Sequence, residues 1–270
     1  MAKGNDGNYL QHCIEVEAVA HLVRACPGGR LHVALTHGMA PFEKLKKSGA
    51  QKDLLCGALR EAAGEPKCCE RVIVKAYRNS RASQKRYPNS AELLRTVIGT
   101  NQLCGGITEV CQTKHGELKR AWCGSGIVVA QSSWRKQLKP NEALACPDHL
   151  NAPWLFSMDP MTYIENSHND DANLHHSDLD LLAPALKRYV DSGQPGIASL
   201  FVYSVGSQGE NRQHQFWTFM DALAGRLSLQ TFSYWVSHQG GNLNLAGLLF
   251  SGIELSDDFV PPRINTGRGN

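Results

Sequence analysis

Apolar side chains recur along this chain with two different spacings. Between residues 8 and 25 they fall at Ile14, Val16, Val19, Leu22 and Val23, a helical spacing that Pro27, Gly28 and Gly29 bring to an end. A continuous apolar run at 31–35 then has the length and composition of a short buried strand. From residue 91 onward the two patterns alternate. Helices are predicted over 91–98, 113–122, 177–190 and 216–226. Strands are predicted over 105–110, 126–130, 154–158, 197–205, 229–236 and 246–253.

Strand followed by helix, repeated several times, predicts an α/β fold with a mostly parallel sheet covered by helices on both faces. The last two strands have no helix between them, only the turn-rich stretch 237–244, so they are expected to pair antiparallel. The stretch 43–95 is too long and too charged to be a simple connection in such a unit. It is read as a helical insertion within a single domain spanning 1–270. Its stripes are Leu54, Leu55, Ala58 and Leu59, then Val72, Ile73, Val74, Ala76 and Tyr77.

Composition narrows the class. The 270 residues are 42% hydrophobic and 20% charged, which excludes a disordered polar chain, and the net charge of +3 permits a nucleic-acid partner without requiring one. No apolar run approaches the length of a membrane span. The polar start (Lys3, Gly4, Asn5, Asp6) predicts no signal peptide, and the nine cysteines are odd in number. Together these predict a cytoplasmic protein with reduced thiols. Cys104, Cys111, His115 and Cys123 lack a Cys-x-x-Cys pair, so no metal site is expected. There is no nucleophile elbow, no phosphate-binding Walker loop and no His-Glu-x-x-His motif.

In a parallel sheet, ligands bind beyond the carboxyl ends of the strands. The candidates are therefore Thr36, His37 and Gly38 after the first strand, Glu109 after the second, Ser132 and Ser133 after the third, and Asp159-Pro160-Met161-Thr162-Tyr163 after the fourth. A carboxylate followed by proline at a strand end suits an exocyclic amine. Asp159 would take its proton, Pro160 would fix the turn, and Tyr163 would stack on the base. Glu109 has the place of an acceptor for ribose hydroxyls. Arg78, Arg81, Lys85 and Arg86 form a basic cluster in the insertion, and Lys44, Lys46 and Lys47 a second. Each suits phosphate contact or a solvated face equally.

These motifs, in this order, resemble the RlmJ family, the 23S ribosomal RNA adenine-N6 methyltransferases. The resemblance runs through Gly4-Asn5 and Leu10-Gln11-His12, then Leu35-Thr36-His37-Gly38, then Tyr87-Pro88-Asn89-Ser90. Thr108-Glu109, Asp159-Pro160 with Tyr163, and Ala246-Gly247-Leu248-Leu249 complete it. It implies a Rossmann-like methyltransferase fold with a seven-stranded sheet whose last strand is antiparallel. It also implies an S-adenosylmethionine (SAM) site that uses His12, Ser90 and Glu109, Asp159 as the group receiving the amine, and an insertion that grips RNA. The chain departs from the family at several places. Gln11 stands for a lysine, Leu35 for an aspartate, Pro41 for a glycine, Ser132-Ser133 for Asp-Gly and Met161 for a proline. A descendant that keeps the fold, has lost the cofactor and binds RNA or a protein remains the alternative.

Overall fold

A computed structural model describes residues 6–26, 29–39, 41–44, 69, 71–73, 75, 86–145, 152–160, 163–164, 173–192, 196–205, 209–237, 243–251, 259–260 and 264–268. The strands in chain order are β1 (Leu31–Leu35), β2 (Phe42–Lys44), β3 (Arg86–Pro88), β4 (Leu103–Thr108), β5 (Gly126–Ala130) and β6 (Trp154–Met158). They continue with β7 (Tyr163–Ile164), β8 (Leu174–His175), β9 (Ile197–Val205), β10 (Gln230–Ser237), β11 (Leu243–Ser251) and β12 (Asn265–Arg268). The α-helices are α1 (Asp6–Ala25), α2 (Ser90–Ile98), α3 (Gln112–Ala121), α4 (Trp134–Gln137), α5 (Leu179–Asp191) and α6 (Gly209–Leu227).

Eight strands form one sheet in the order β12-β10-β11-β9-β6-β1-β4-β5. β5, β4, β1, β6 and β9 run parallel to one another. The reversed strand β11 lies between β9 and β10 and is antiparallel to both. The expected α/β class is therefore present. The strand count is corrected from seven to eight, because β12 adds antiparallel to β10 at the edge.

Strand periodicity sorts the core into two layers. On β6, Trp154, Phe156 and Met158 join the layer built by α4, α5 and α6, with Leu182, Leu186, Phe216, Phe219 and Leu223. Leu155, one residue out of step, joins Val33 and Leu35 of β1 in the opposite layer under α1, α2 and α3. Successive strand side chains point to opposite faces, so a one-residue slip would exchange the two sets and mispack both layers.

The helix α1 departs from its amphipathic reading. Residues 7–19 are buried around the whole circumference. The sheet covers one side. Ala91, Leu93 and Leu94 of α2, together with Cys69 and Ile73 of the insertion, belong to the same core on the other. Cys69 N donates to Glu17 Oε1 at 3.2 Å, which ties the insertion to α1.

Where helix was expected at both ends of the insertion, β2 and β3 pair antiparallel, so the chain leaves and re-enters the α/β unit side by side. Pro88 has no N–H for a helical bond. Residues 69, 71–73 and 75 are helical, and most of the expected helical stripes fall outside the described residues. The described cysteines Cys13, Cys26, Cys69, Cys104, Cys111 and Cys123 are free thiols. No helix among the described residues is long and apolar enough to cross a membrane.

Candidate active site

The strand order changes direction at β1, with β4 on one side and β6 on the other. In doubly wound sheets the ligand crevice opens at the carboxyl ends of the strands flanking that point. Thr36–Met39 leave β1 there, Glu109 follows β4, Ser132 and Ser133 follow β5, and Asp159 and Pro160 follow β6.

Backbone bonds pin the loop after β1. Thr36 N donates to Ser157 O at 3.1 Å, and Gly38 N donates to Thr108 O at 2.7 Å. Thr108 Oγ1 donates to Thr36 O at 2.7 Å. Thr36 Oγ1 and His37 Nδ1 share a hydrogen bond at 2.7 Å. Asn89 holds the loop from the other side. Its Nδ2 donates to Gly38 O at 2.7 Å, while its Oδ1 accepts from Glu92 N at 2.9 Å and caps α2. A Cβ on Gly38 would lie 2.7 Å from Leu118 Cδ1 and 2.8 Å from Ile107 Cγ2, so only glycine passes between β4 and α3.

Glu109 closes the loop electrostatically. Met39 N donates to its Oε2 at 2.9 Å and Cys111 N to its Oε1 at 2.8 Å. Met39 itself sits at φ 50°, a left-handed conformation that usually goes to glycine. The carboxylate thus spends one lone pair on each oxygen in joining the β1 and β4 loops, and its remaining lone pairs are what it could offer a hydroxyl.

Asp159 is half-buried beyond β6, and Pro160 beside it is buried. Burial pushes the Asp159 carboxyl up to about 7. Two residues earlier, Ser157 lies on the α1 side of the sheet, where Ser157 Oγ donates to Glu15 Oε1 at 2.6 Å. Gln11 Nε2 donates to the same oxygen at 3.0 Å, and reaches Ser90 Oγ at 3.3 Å and Ser157 Oγ at 3.4 Å. Glu15 is fully buried, and its second oxygen, Oε2, takes no hydrogen bond. Desolvation raises its pKa to about 7, with the nearby charge of Asp159 acting in the same direction. His12, 1% exposed, is held neutral by burial, with its pKa lowered to about 4.

The structure thus brings Ser90 into one polar cluster with Glu15, Gln11 and Ser157, beside Asp159. Sequence reading missed Glu15. The available signal was a polar stripe at Asn8, Gln11, His12 and Glu15, the spacing of one helical face, running through a helix with an apolar majority. All four side chains are buried.

After β5, Ser133 has a structural task. Ser133 Oγ accepts from Arg135 N at 3.3 Å and caps α4. Arg135 then grips Asp178 through Nε and Nη2, both at 2.7 Å, and Nη2 also donates to Asn173 O at 2.8 Å. Its guanidinium lies 4.4 Å over the Trp134 ring. Ser132 is half-buried beside this clamp.

Tyr163 is placed by its backbone alone, paired with Leu174 across β7 and β8. Met161 and Thr162 lie outside the described residues. So do Arg78, Arg81 and Lys85, while Arg86 is placed only through the backbone of β3.

No family model matches the sequence, and no curated protein matches it. The fold is similar to the crystal structure of a Legionella pneumophila protein described under the family model DUF519. The TM-score is 0.69 at 14% identity, over 99% of this chain and 97% of that one. At that identity the likeness concerns the fold.

Proposed function

We propose that the protein is a SAM-dependent methyltransferase that acts on an exocyclic amine of a nucleic-acid base, with adenine N6 in RNA as the first candidate. The observation that carries this is the half-buried Asp159, its pKa raised to about 7 by burial, at the carboxyl end of the strand beside the sheet's switch point. The sequential motifs resembling the RlmJ family, and a reversed strand set between β9 and β10, support it.

The residues present suit the cofactor. Asp159 follows β6 two residues after Ser157, which donates to Glu15, and one oxygen of Glu15 is buried without a partner. A cationic ligand would compensate that arrangement. Glu109 stands where an acceptor for ribose hydroxyls belongs, and the Thr36–Gly38 loop is held rigid by β4, β6 and Asn89. When bound, SAM supplies a methyl group activated by its positive sulfur.

The protein's own task is to align the amine and receive its proton. Asp159 accepts a hydrogen bond from the exocyclic NH2 and takes the proton as the nitrogen becomes positively charged. A carboxyl poised near neutrality is a stronger base than an ordinary aspartate, yet still ionised in a large share of molecules at pH 7. Pro160 fixes the backbone that aims it.

Calorimetric titration with SAM, followed by transfer of labelled methyl from SAM to an adenine-containing ribosomal RNA fragment, tests the proposal. Binding and transfer are expected, and Asp159→Ala should lose transfer even at SAM concentrations that saturate it. Absence of SAM binding at millimolar concentration refutes it. That result would favour the alternative, a fold that has lost its cofactor, for which the two backbone donors already held by Glu109 and the non-glycine Met39 at φ 50° speak.

A further inference from the structure

Glu15 is a fully buried carboxyl on α1 that takes no part in the proton transfer described above. Ser157 and Gln11 both donate to its Oε1, and donors aimed at one oxygen favour the ionised form. Its Oε2 is buried and takes no hydrogen bond. No Lys or Arg among the described residues forms an ion pair with it. Helix α1 contributes His12, which is neutral, and β6 contributes Asp159, a second negative charge that opposes the first. A negative charge in this setting is incomplete by itself, and a positive charge brought into the crevice would complete it.

The location says which charge. If Asp159 receives the amine, the methyl donor must lie in line with that amine, within bonding approach of it. The positive sulfur of SAM is then close to Asp159, and Glu15 accepts a hydrogen bond at 2.6 Å from Ser157, two residues before Asp159 in the chain. Glu15 is fully buried, with Gln11 and Ser157 both donating to its Oε1, so it acts on that sulfur through its field and not by contact. In a buried site such a field is weakly screened.

We infer that Glu15 is a charge-selecting residue of the cofactor site, favouring the sulfonium of SAM over the neutral thioether of S-adenosylhomocysteine. The inference rests on the proposed methyltransferase reading. It adds a role in discharge of the product: once the methyl group leaves, the ligand loses the charge that Glu15 holds, and its affinity drops. Adenine, ribose, amino and carboxylate groups are common to both ligands, so their affinity ratio isolates the sulfur charge.

The test compares SAM and S-adenosylhomocysteine by titration calorimetry on wild type and Glu15→Gln. The substitution should weaken SAM about tenfold, the order expected for one charge pair at an effective dielectric near 20. It should leave S-adenosylhomocysteine within about twofold. Equal loss for both ligands, or no loss for either, overturns the inference while leaving the methyltransferase reading intact. If Glu15→Gln does not fold, the affinity ratio of Asp159→Asn decides, since Glu15 then remains as the carboxyl of this pair that titrates near 7: the ratio should turn toward SAM as pH rises from 6 to 8.5, and a flat ratio overturns the inference. Wild type that binds neither ligand overturns the parent reading and this one with it.

Discussion

Replacing Glu15 by glutamine should make stability less sensitive to pH, because the native fold holds this carboxyl far from its ordinary value. Its pKa rises from 4.5 to about 7, chiefly through desolvation. The unfolded chain releases the proton near 4.5, whereas the native protein keeps it until about 7. Between these values the native state binds more protons than the unfolded state, so stability falls as pH rises. The penalty is absent below the unfolded value and complete above the native one. Integrating the linkage for this one group gives a loss of about 2.5 kcal/mol between pH 5 and pH 8. Glutamine does not titrate, so Glu15→Gln escapes that loss.

At pH 5 the variant should be the less stable protein. Its amide introduces donors into a cluster that already has Gln11 and Ser157 donating, and an unsatisfied buried donor costs about 1–3 kcal/mol. At pH 8 the order should shift in the variant's favour by the full linkage amount. For a chain of this size 1 kcal/mol moves Tm by about 2–4 °C. The difference in Tm between variant and wild type should therefore change by roughly 5–10 °C across that pH range. Differential scanning calorimetry at half-unit pH steps measures it. His12 and Asp159 titrate in both proteins and largely cancel in the difference. A Tm difference that stays constant from pH 5 to pH 8 would refute a buried, titrating Glu15. A variant stabler at pH 8 yet weaker for SAM would place this residue among those that trade stability for function.

The remaining predictions concern the crevice and its supports. Asp159→Asn removes a carboxylate nearer the sulfonium than Glu15, so it should weaken SAM by about tenfold or more and, at saturating SAM, lower methyl transfer by about 100-fold or more, the usual scale for removing a positioned base; unchanged transfer of label removes Asp159 from the chemistry. Gly38→Ala must push its new Cβ into Leu118 and Ile107. Overpacking of this kind costs about 1–3 kcal/mol, and denaturant titration should show the loss together with weakened ligand binding. Arg135→Leu strands Asp178, whose side chain is 7% exposed and loses both bonds to the guanidinium. A destabilisation of about 3 kcal/mol is expected from breaking such a pair; a midpoint shift below ~0.5 kcal/mol would show that the clamp after β5 is dispensable.

Much of the architecture was legible because it is written in local periodicity. Trp154, Leu155, Phe156, Ser157 and Met158 alternate between two faces wherever the strand is placed, and both faces here are covered. The runs at β1, β5, β9 and β11 are equally plain. Asp159 stood out since a carboxylate followed by proline at the end of an apolar strand marks the carboxyl edge of a sheet. Serine residues were less legible. Ser133 is a helix cap whose Oγ accepts from Arg135 N two residues on, and the sequence does not tell such a cap from a ligand contact. Tertiary contact also decided the strand order. The insertion of β11 between β9 and β10, and the pairing of β12 with β10, rest on hydrogen bonds between segments far apart in the chain.

The helix α1 shows where that boundary runs. Its sequence alone determines a helix, an apolar majority and a polar stripe through Asn8, Gln11, His12 and Glu15, since these follow from side-chain spacing along a single element. Whether the stripe faces water or a site depends on what covers it. The sheet, α2 and the insertion close over α1, water is excluded, and Glu15 becomes a carboxyl that titrates near 7 under the end of β6. The pattern of residues chose the element and its faces. Only the packing of distant segments set the dielectric and the partners around Glu15 and Asp159, and with them the chemistry those carboxyls can perform.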